Sequence, residues 1–173
     1  FDAANNLKLA AVTYETRNLS NFLDERGTDF FDGPISNNYD SEFDSLYRTV
    51  WKVSKSEIEY HQQHYADVGY VMPISIANWR GNDRTDYGES QILAPFQDIN
   101  GNGIYEPQLG DYPLIRGDQA IFKILNDDRH IHAFSGGQKL GIELKMMFYE
   151  YTASDVVNYT VFLHIEIANK SGG

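Results

Sequence analysis

Two stretches near the end of the chain alternate apolar and other side chains, and this pattern constrains the fold most. The apolar face of the first stretch contains Leu140, Ile142, Leu144, Met146 and Phe148, and its other face contains Glu143, Lys145, Met147 and Tyr149. The second repeats the period with Val157, Tyr159, Val161, Leu163, Ile165 and Ile167. A period of two predicts long β-strands. The short connection at residues 153–155 predicts that they form an antiparallel hairpin.

The rest of the chain carries weaker signals for strands and one clear signal for a helix. Residues 7–14 and 120–125 are predicted strands, and residues 46–53 fit either a strand or a helix. Ser54 is a candidate N-cap, and Glu57 three residues later completes a capping box. Val53 and Ile58 occupy the hydrophobic-staple positions. We therefore expect a helix from about 54 to 66, ending before Gly69, and a short helical turn from Pro73 to Asn78.

These patterns predict a mainly β fold, a sandwich-like antiparallel sheet with one short capped helix and long loops. The 12 Tyr and 10 Phe support this class, because flat rings pack well on a pleated surface. A length of 173 residues suits a single β-rich module spanning 1–173. The chain begins with Phe1, and its last strand ends close to Gly173, so we expect an excerpt of a longer protein whose partner strands lie beyond it.

Charge and composition exclude several classes of function. The 14 Lys and Arg against 25 Asp and Glu give a net charge of −11, which repels phosphate backbones and argues against a nucleic-acid partner. The absence of cysteine excludes disulfides, thiolate metal sites and cysteine nucleophiles. No apolar run reaches the roughly 20 residues that a membrane span needs.

The segment 98–111 has the oxygen spacing of a calcium loop. Asp98, Asn100 and Asn102 stand at positions 1, 3 and 5, and Gly103 at position 6 permits a sharp turn. The carbonyl of Ile104 at position 7 and the carboxylate of Glu106 at position 9 extend the set. Calcium takes six to eight hard oxygen ligands, and alternate residues around a tight turn converge on one point. Calcium fits this spacing better than magnesium, which uses fewer protein ligands.

The match to an EF-hand is incomplete. Position 12 is Leu109, which lacks the usual bidentate carboxylate, and Asp111 is the best substitute. The flanking segments 92–96 and 112–115 do not have a helical pattern, so we expect a calcium loop in a β context. The alternative is a pair of Asn-Gly hairpin turns that need no metal.

Two histidine pairs are weaker metal candidates. His61 and His64 lie three residues apart on the predicted helix, near Glu57, and could hold zinc. A polar helix face beside two tyrosines is the favoured explanation, because no His-Glu-x-x-His motif is present. His130 and His132 could also bind a metal, but a loop with Asx turns is more common.

No catalytic set stands out. No serine lies in a Gly-x-Ser-x-Gly motif, and no Ser-His-Asp set can be preferred over the others. Trp51 and Trp79 could form a platform for stacking sugars, although core positions explain them as well. Asp118, Asp127 and Asp128 are candidate acids of a hydrolase, but pairs of acids can always be chosen from 25.

Several further motifs occur together in a fixed order. They are the stretch 7–14, Asp29-Phe30-Phe31-Asp32-Gly33-Pro34, Val50-Trp51-Lys52-Val53-Ser54, Ile76-Ala77-Asn78-Trp79, Leu93-Ala94-Pro95-Phe96-Gln97-Asp98, Gly110-Asp111-Tyr112-Pro113, Arg116-Gly117-Asp118-Gln119, Asn126-Asp127-Asp128, His132, Gly136-Gly137 and 158–169. Across nearly its whole length the chain resembles a region of large secreted surface proteins of Bacteroidota, which typically end in a type IX secretion sorting domain. The sorting domain itself is absent from this sequence.

This resemblance implies export across the outer membrane and an extracellular or cell-surface location, and it supplies no enzymatic activity. It also implies a single histidine near position 132, so His130 is particular to this chain. Asp44-Ser45-Leu46 fits the short O-glycosylation motif of these bacteria.

The leading hypothesis is a calcium-stabilised structural or adhesive module of a secreted surface protein. Its expected partners are glycans, other surface proteins and neighbouring domains of the same polypeptide. A carbohydrate-binding module and, less favoured, a glycan-active hydrolase are the alternatives. Exposed tryptophans on one flat face would support the first alternative, and two carboxylates facing each other across a cleft would support the second.

Overall fold

A computed structural model describes residues 3–11, 28–133 and 135–172. Within these residues seven strands and three α-helices follow one another along the chain. In order they are β1 (Phe31–Asp32), α1 (Ser41–Tyr47), β2 (Trp51–Ser54), α2 (Lys55–His64), α3 (Ile74–Ala77), β3 (Phe96–Gln97), β4 (Tyr112–Pro113), β5 (Gln119–Asn126), β6 (Ile142–Glu150) and β7 (Phe162–Asn169). Short 3-10 helices occupy Thr85–Tyr87, Pro107–Leu109 and Val156–Tyr159.

The strands form two sheets. The larger has the order β1-β5-β6-β7, and β2 also pairs with β5. Both β1 and β2 run antiparallel to β5, with Trp51 opposite Phe122 in the β2 register. The smaller sheet is the antiparallel pair β3 and β4. Strand makes up 26% of the described residues against 20% helix, which confirms the predicted mainly β class with few short helices.

The predicted hairpin of two long strands is present with a longer connection. Backbone N–H of Lys170 donates to the Gly141 carbonyl at 2.7 Å, and the Tyr149 ring stacks on Phe162 at 5.4 Å, so β6 and β7 are antiparallel neighbours. The connection covers residues 151–161, and it includes the 3-10 helix Val156–Tyr159. The prediction that the second strand begins at Val157 was therefore wrong, because Asp155 caps a helical turn there by accepting the Val157 N–H.

Contacts along the backbone divide the chain into two compact units. The first comprises Phe1–Arg48, Ile124–Leu144 and Ile167–Gly173, and the second comprises Thr49–Lys123 and Lys145–Glu166. The prediction of a single module spanning 1–173 stays a prediction.

In the first unit, α1 supplies the two largest buried side chains. Asp40 caps this helix by accepting the Phe43 N–H at 2.9 Å, and the rings of Phe43 and Tyr47 are fully buried. Gly33 has φ of +99° and lies against the Phe43 ring, where a Cβ would clash. Of the predicted strand at 7–14, residues 7–11 are described, and among them only an isolated bridge forms, from Lys8 to Gln138. Residues 12–14 of that prediction lie outside the described residues.

In the second unit, α2 confirms the predicted helix and its cap. Ser54 Oγ accepts the Glu57 N–H, and Glu57 accepts the Ser54 N–H at 2.8 Å, which completes the capping box. Helix α3 also confirms the short turn predicted after Pro73. Strand β5, longer than the predicted 120–125, alternates buried and half-buried residues. None of the described helices is long and apolar enough to cross a membrane.

The core of the second unit forms around Phe122. The ring centroids of Trp51 and Trp79 lie 6.1 and 5.9 Å from that of Phe122. Leu93 and Met147 are buried in the same unit. Trp79 also donates its indole N–H to the Pro95 carbonyl at 3.0 Å. Since Pro95 precedes β3, this bond holds the start of the small sheet against the core.

Candidate functional site

The candidate calcium loop connects the two strands of the small sheet. Phe96 pairs with Pro113 and Gln97 with Tyr112, so residues 98–111 form a long hairpin loop. Neither flank is helical, and the predicted β context is confirmed. In an EF-hand two helices would hold the loop ends, whereas here an antiparallel strand pair does.

Asp98 organises the first half of this loop. Its Oδ1 accepts the Gly101 N–H and its Oδ2 accepts the Gly103 N–H, each at 2.7 Å. Both glycines have φ near +75°, a left-handed conformation that residues with side chains rarely adopt. The amide of Gly103, with that of Gly101, lowers the pKa of Asp98. Asp98 therefore stays a carboxylate well below neutral pH.

The next three candidate ligands lie together. Asn100 Oδ1 accepts the Asn102 N–H at 3.1 Å, and Asn102 Oδ1 accepts the Ile104 N–H at 2.7 Å. The side-chain amides of both asparagines donate to one oxygen of Glu106, at 3.2 and 2.6 Å. These bonds bring the side chains of positions 3, 5 and 9 to one place on the exposed side of the loop. The backbone at position 7 lies between them in sequence, and the Ile104 side chain is 49% exposed.

Asp111 lies on the buried side of the loop, away from the side chains of Asn100, Asn102 and Glu106 on the exposed side. It is fully buried, and its two oxygens accept the N–H groups of Ile99 and Glu106, each at 2.8 Å. It thereby ties the beginning of the loop to its middle. A carboxylate oxygen has a second lone pair, so these bonds do not prevent metal binding. The role of Asp111 as a ligand stays a prediction, and its role in closing the loop is what its hydrogen bonds show.

Residues distant in sequence fix the loop from outside. The Gly103 carbonyl accepts the side-chain amides of Asn82 and Gln91, at 3.0 and 3.3 Å. Asn82 Oδ1 in turn accepts the Tyr105 N–H. The Tyr105 hydroxyl donates to the Ile76 carbonyl at 2.7 Å. Sequence reasoning missed these supports, since Asn82 and Gln91 lie outside the loop and belong to no motif that would link them to it.

The two histidines of α2 do not converge. His61 is fully buried, with Nδ1 2.7 Å from the Tyr70 hydroxyl and Nε2 3.0 Å from the Asp111 carbonyl. His64 instead contacts Asp67 at 2.7 Å. Both ring nitrogens of His61 are therefore engaged by protein atoms, and the geometry does not form a zinc pair. His61 supports the end of the candidate loop.

The other histidine pair is also split. His132 is buried, with its ring nitrogens 2.6 Å from the carbonyls of Leu9 and Asp127. His130 packs edge-on against the Phe31 ring, 5.1 Å away. Within residues 3–11, 28–133 and 135–172, no three His, Asp or Glu side chains form a group that could hold a metal. The candidate loop takes its remaining donors from Asn amides and a backbone carbonyl.

The features required by the two alternative functions are not present at the candidate residues. Trp51 and Trp79 are only 9% and 3% exposed, so neither offers a face for stacking a sugar. Asp118 accepts the Thr152 N–H at 2.8 Å, and Asp127 accepts the N–H groups of Leu140 and Ile142. Asp128 accepts a hydrogen bond from Tyr39 at 3.0 Å. Each of these acids holds local structure, and no acid-base pair is distinguished among them.

No protein-family model, curated protein or solved structure matches the chain.

The donor chemistry of the loop suits calcium. The side chains of Asp98, Asn100, Asn102 and Glu106 and the Ile104 carbonyl all offer hard oxygens, which calcium prefers over nitrogen or sulfur. The carboxylates of Asp98 and Glu106 supply the negative charge that a divalent cation needs. The loop is also held at both ends by paired strands, so little ordering has to accompany binding.

Proposed function

We propose that this chain is a calcium-stabilised structural or adhesive module of a secreted cell-surface protein, with calcium bound by the loop 98–111. One observation carries the proposal. The side-chain amide N–H groups of Asn100 and Asn102 both donate to one Glu106 oxygen, which holds these three residues together in a loop whose first carboxylate, Asp98, accepts two glycine N–H groups. Oxygens at this spacing are what a calcium loop presents.

The protein residues divide into ligands and supports. Asp98, Asn100, Asn102 and Glu106 would bind calcium through their side chains and Ile104 through its carbonyl, with Asp111 closing the set from the buried side. Calcium, when bound, supplies the divalent charge that draws these oxygens together. Asp111 meanwhile fixes the amides of Ile99 and Glu106, which keeps the loop closed.

The expected consequence is stability and not signalling. A ligand that binds only the folded state stabilises it by about 2.7 kcal/mol at a hundredfold excess over its dissociation constant. Extracellular calcium modules bind at roughly 0.1 to 1 mM, which suits a surface protein. The resemblance described above supports a secreted location, and glycans, other surface proteins and neighbouring domains are the partners that such a location implies.

Thermal unfolding with and without calcium tests the proposal. We expect EDTA to lower the melting temperature and excess calcium to raise it by roughly 5 to 10 °C, given about 2 to 4 °C per kcal/mol for a chain of this size. Glu106→Gln should abolish most of the calcium-dependent shift. Glu59→Gln, on the exposed side of α2, is the matched control and should retain the whole shift.

Comparing Asp111→Ala with Glu106→Gln separates the role of Asp111 in holding the loop closed from the role of the loop in binding calcium. Since Asp111 accepts two buried backbone amides, its loss should lower the melting temperature even in EDTA, whereas Glu106→Gln should not. Isothermal titration calorimetry gives the affinity directly. A wild-type melt that calcium leaves unchanged, together with no heat of calcium binding, would rule the site out.

A further inference from the structure

The candidate loop contains two successive Asn-Gly pairs, Asn100-Gly101 and Asn102-Gly103, and no other asparagine of the chain precedes a glycine. An asparagine before glycine is the pair most prone to deamidation, because glycine has no side chain to hinder attack by its backbone nitrogen. The two pairs are identical as dipeptides, so the sequence predicts equal reactivity. Their surroundings in the folded loop differ at the groups that take part in the reaction.

Deamidation is a reaction of the chain with itself and with water. The glycine nitrogen gives its proton to hydroxide and attacks Cγ of the preceding asparagine, and the new N–Cγ bond closes a succinimide ring. The Cγ–Nδ2 bond breaks, and Nδ2 leaves as ammonia after taking a proton from water. Water then opens the ring to aspartate or isoaspartate, so the reaction consumes water, releases ammonia and transfers no electrons. Ring closure requires the side-chain amide to swing over the glycine nitrogen.

The side-chain amide of Asn102 is held more tightly than that of Asn100. Asn102 Oδ1 accepts the Ile104 N–H at 2.7 Å, and Asn102 Nδ2 donates to Glu106 at 2.6 Å. The corresponding bonds of Asn100 are longer, since its Oδ1 accepts the Asn102 N–H at 3.1 Å and its Nδ2 donates to Glu106 at 3.2 Å. Shorter hydrogen bonds resist rotation of the side chain more strongly. Asn100 is therefore the freer of the two to swing over its glycine.

The two glycines also differ. Asp98 accepts the N–H groups of both at 2.7 Å, and since removing either proton brings a second negative charge beside this carboxylate, Asp98 slows both reactions. Only the Gly103 carbonyl accepts the side-chain amides of Asn82 and Gln91, at 3.0 and 3.3 Å. A Cβ at Gly103 would stand 3.2 Å from Gln91 Nε2, whereas at the exposed Gly101 no described heavy atom lies within 4 Å of that point. Hydroxide and water therefore reach the Gly101 nitrogen more easily.

We infer that Asn100 is a deamidation site of the folded protein and that Asn102, two residues away in the same loop, is spared. The reaction needs only water and the chain itself, so it proceeds without calcium. Its product changes the loop. Aspartate at position 100 cannot donate to Glu106 and sets a second negative charge beside it, so the exposed side of the loop loses one of the bonds that hold it.

Peptide mapping of the chain after incubation in EDTA tests this assignment. One tryptic peptide, residues 85–116, contains both pairs, and its fragmentation in the mass spectrometer shows which asparagine has become aspartate or isoaspartate. At mildly alkaline pH we expect the folded chain to react at Asn100 about tenfold faster than at Asn102, whose tighter bonds must break first. The same chain unfolded in urea has none of these contacts and should react at both positions at similar rates.

Gln91→Ala tests the cause of the difference. It removes an amide from the Gly103 carbonyl and opens the space beside this glycine, so the Asn102 rate should rise several-fold while the Asn100 rate stays at that of the wild type. Gln108→Ala is the matched control, because it removes the same kind of side chain from an exposed position of the loop, and both rates should stay unchanged. Circular dichroism shows that each variant is folded.

Equal rates at the two positions of the folded chain, or a faster reaction at Asn102, would overturn the assignment. So would a folded chain that stays intact at Asn100 over many half-lives of the unfolded chain. An Asn102 rate that Gln91→Ala leaves unchanged would show that the contacts of Gly103 do not cause the difference. None of these outcomes bears on the proposed calcium site, because calcium is absent throughout.

Discussion

His61 connects the main helix to the candidate loop through one hydrogen bond, to the Asp111 carbonyl, and makes a second to the Tyr70 hydroxyl. The Asp111 carbonyl can only accept, so Nε2 of His61 carries the proton, and Nδ1 accepts from the Tyr70 hydroxyl. Burial lowers the pKa of His61, against the opposing effect of the Asp111 carbonyl and carboxylate. The folded protein therefore holds this imidazole neutral at pH values where a free histidine begins to take up a proton.

This lowered pKa predicts a pH dependence of stability with a definite sign. Below about pH 6.5 the unfolded chain binds a proton at position 61 more readily than the folded chain. The free energy of unfolding should therefore fall as the pH drops below 6.5, by at most about 1.4 kcal/mol per pH unit from this group. His61→Gln, which cannot titrate, should have a flatter profile in urea unfolding between about pH 5 and 7.

Gln62→Ala is the matched control on the same helix. Gln62 is exposed and carries no titratable group, so its loss should leave the pH slope as in the wild type. Equal slopes for the wild type and His61→Gln would show that His61 does not carry the dependence.

At the residue scale, spacing predicts a set of oxygen donors, whose role as ligands stays a prediction, and it does not predict the residues that support the loop. The pattern Asp98, Asn100, Asn102 and Glu106 is local, and a loop of this spacing brings its members together through its own turns. The bonds from Asn82, Gln91 and His61 join residues far apart along the chain. Such contacts depend on how the elements pack, so the sequence could not show them.

At the element scale, β6 shows that a period of two predicts a strand but does not predict which face of the strand is buried. The alternation from Ile142 to Phe148 predicted the strand, but the face that is buried carries Glu143 and Met147, which are 1% and 5% exposed. The more apolar face is only half-buried. The period is a property of the strand itself, whereas the choice of buried face depends on what packs against it. Oε1 of the buried Glu143 accepts the Ile35 N–H at 2.9 Å, whereas its Oε2 is buried without a hydrogen-bond partner among the described residues.

Two adjacent methionines on β6 test this choice of face. Met147 is buried in the second unit and Met146, next to it, is half-buried on the opposite face. Met147→Ala should lower the free energy of unfolding by about 2 to 5 kcal/mol, the usual loss for a large side chain in a core. The same substitution at Met146 removes the same atoms and should cost clearly less. Urea unfolding gives the free energy of unfolding of both variants. Equal losses of stability would show that the two faces of β6 contribute equally to the core.

At the scale of the whole molecule, the sequence predicted the mainly β fold class but not the division of the chain into two compact units. Strand period and aromatic content were sufficient for a mainly β fold. The two compact units are each assembled from separate segments, and residues 124–144 join the first although residues on both sides belong to the second. No shift in composition marks these boundaries, because they arise where strands and loops return to each other after long stretches of chain.

The net charge of −11 is a property of the whole chain and gives the last prediction. Self-repulsion of so many carboxylates destabilises the compact state, and salt screens it. In EDTA, raising NaCl from about 20 mM to 0.5 M should therefore raise the melting temperature gradually as the Debye length shortens. A few millimolar calcium changes the ionic strength very little, so its stabilisation should greatly exceed that of NaCl at equal ionic strength. Equal shifts for the two salts would show that calcium acts by screening alone, whereas a calcium shift that persists in 0.5 M NaCl and disappears in Glu106→Gln would assign it to the loop.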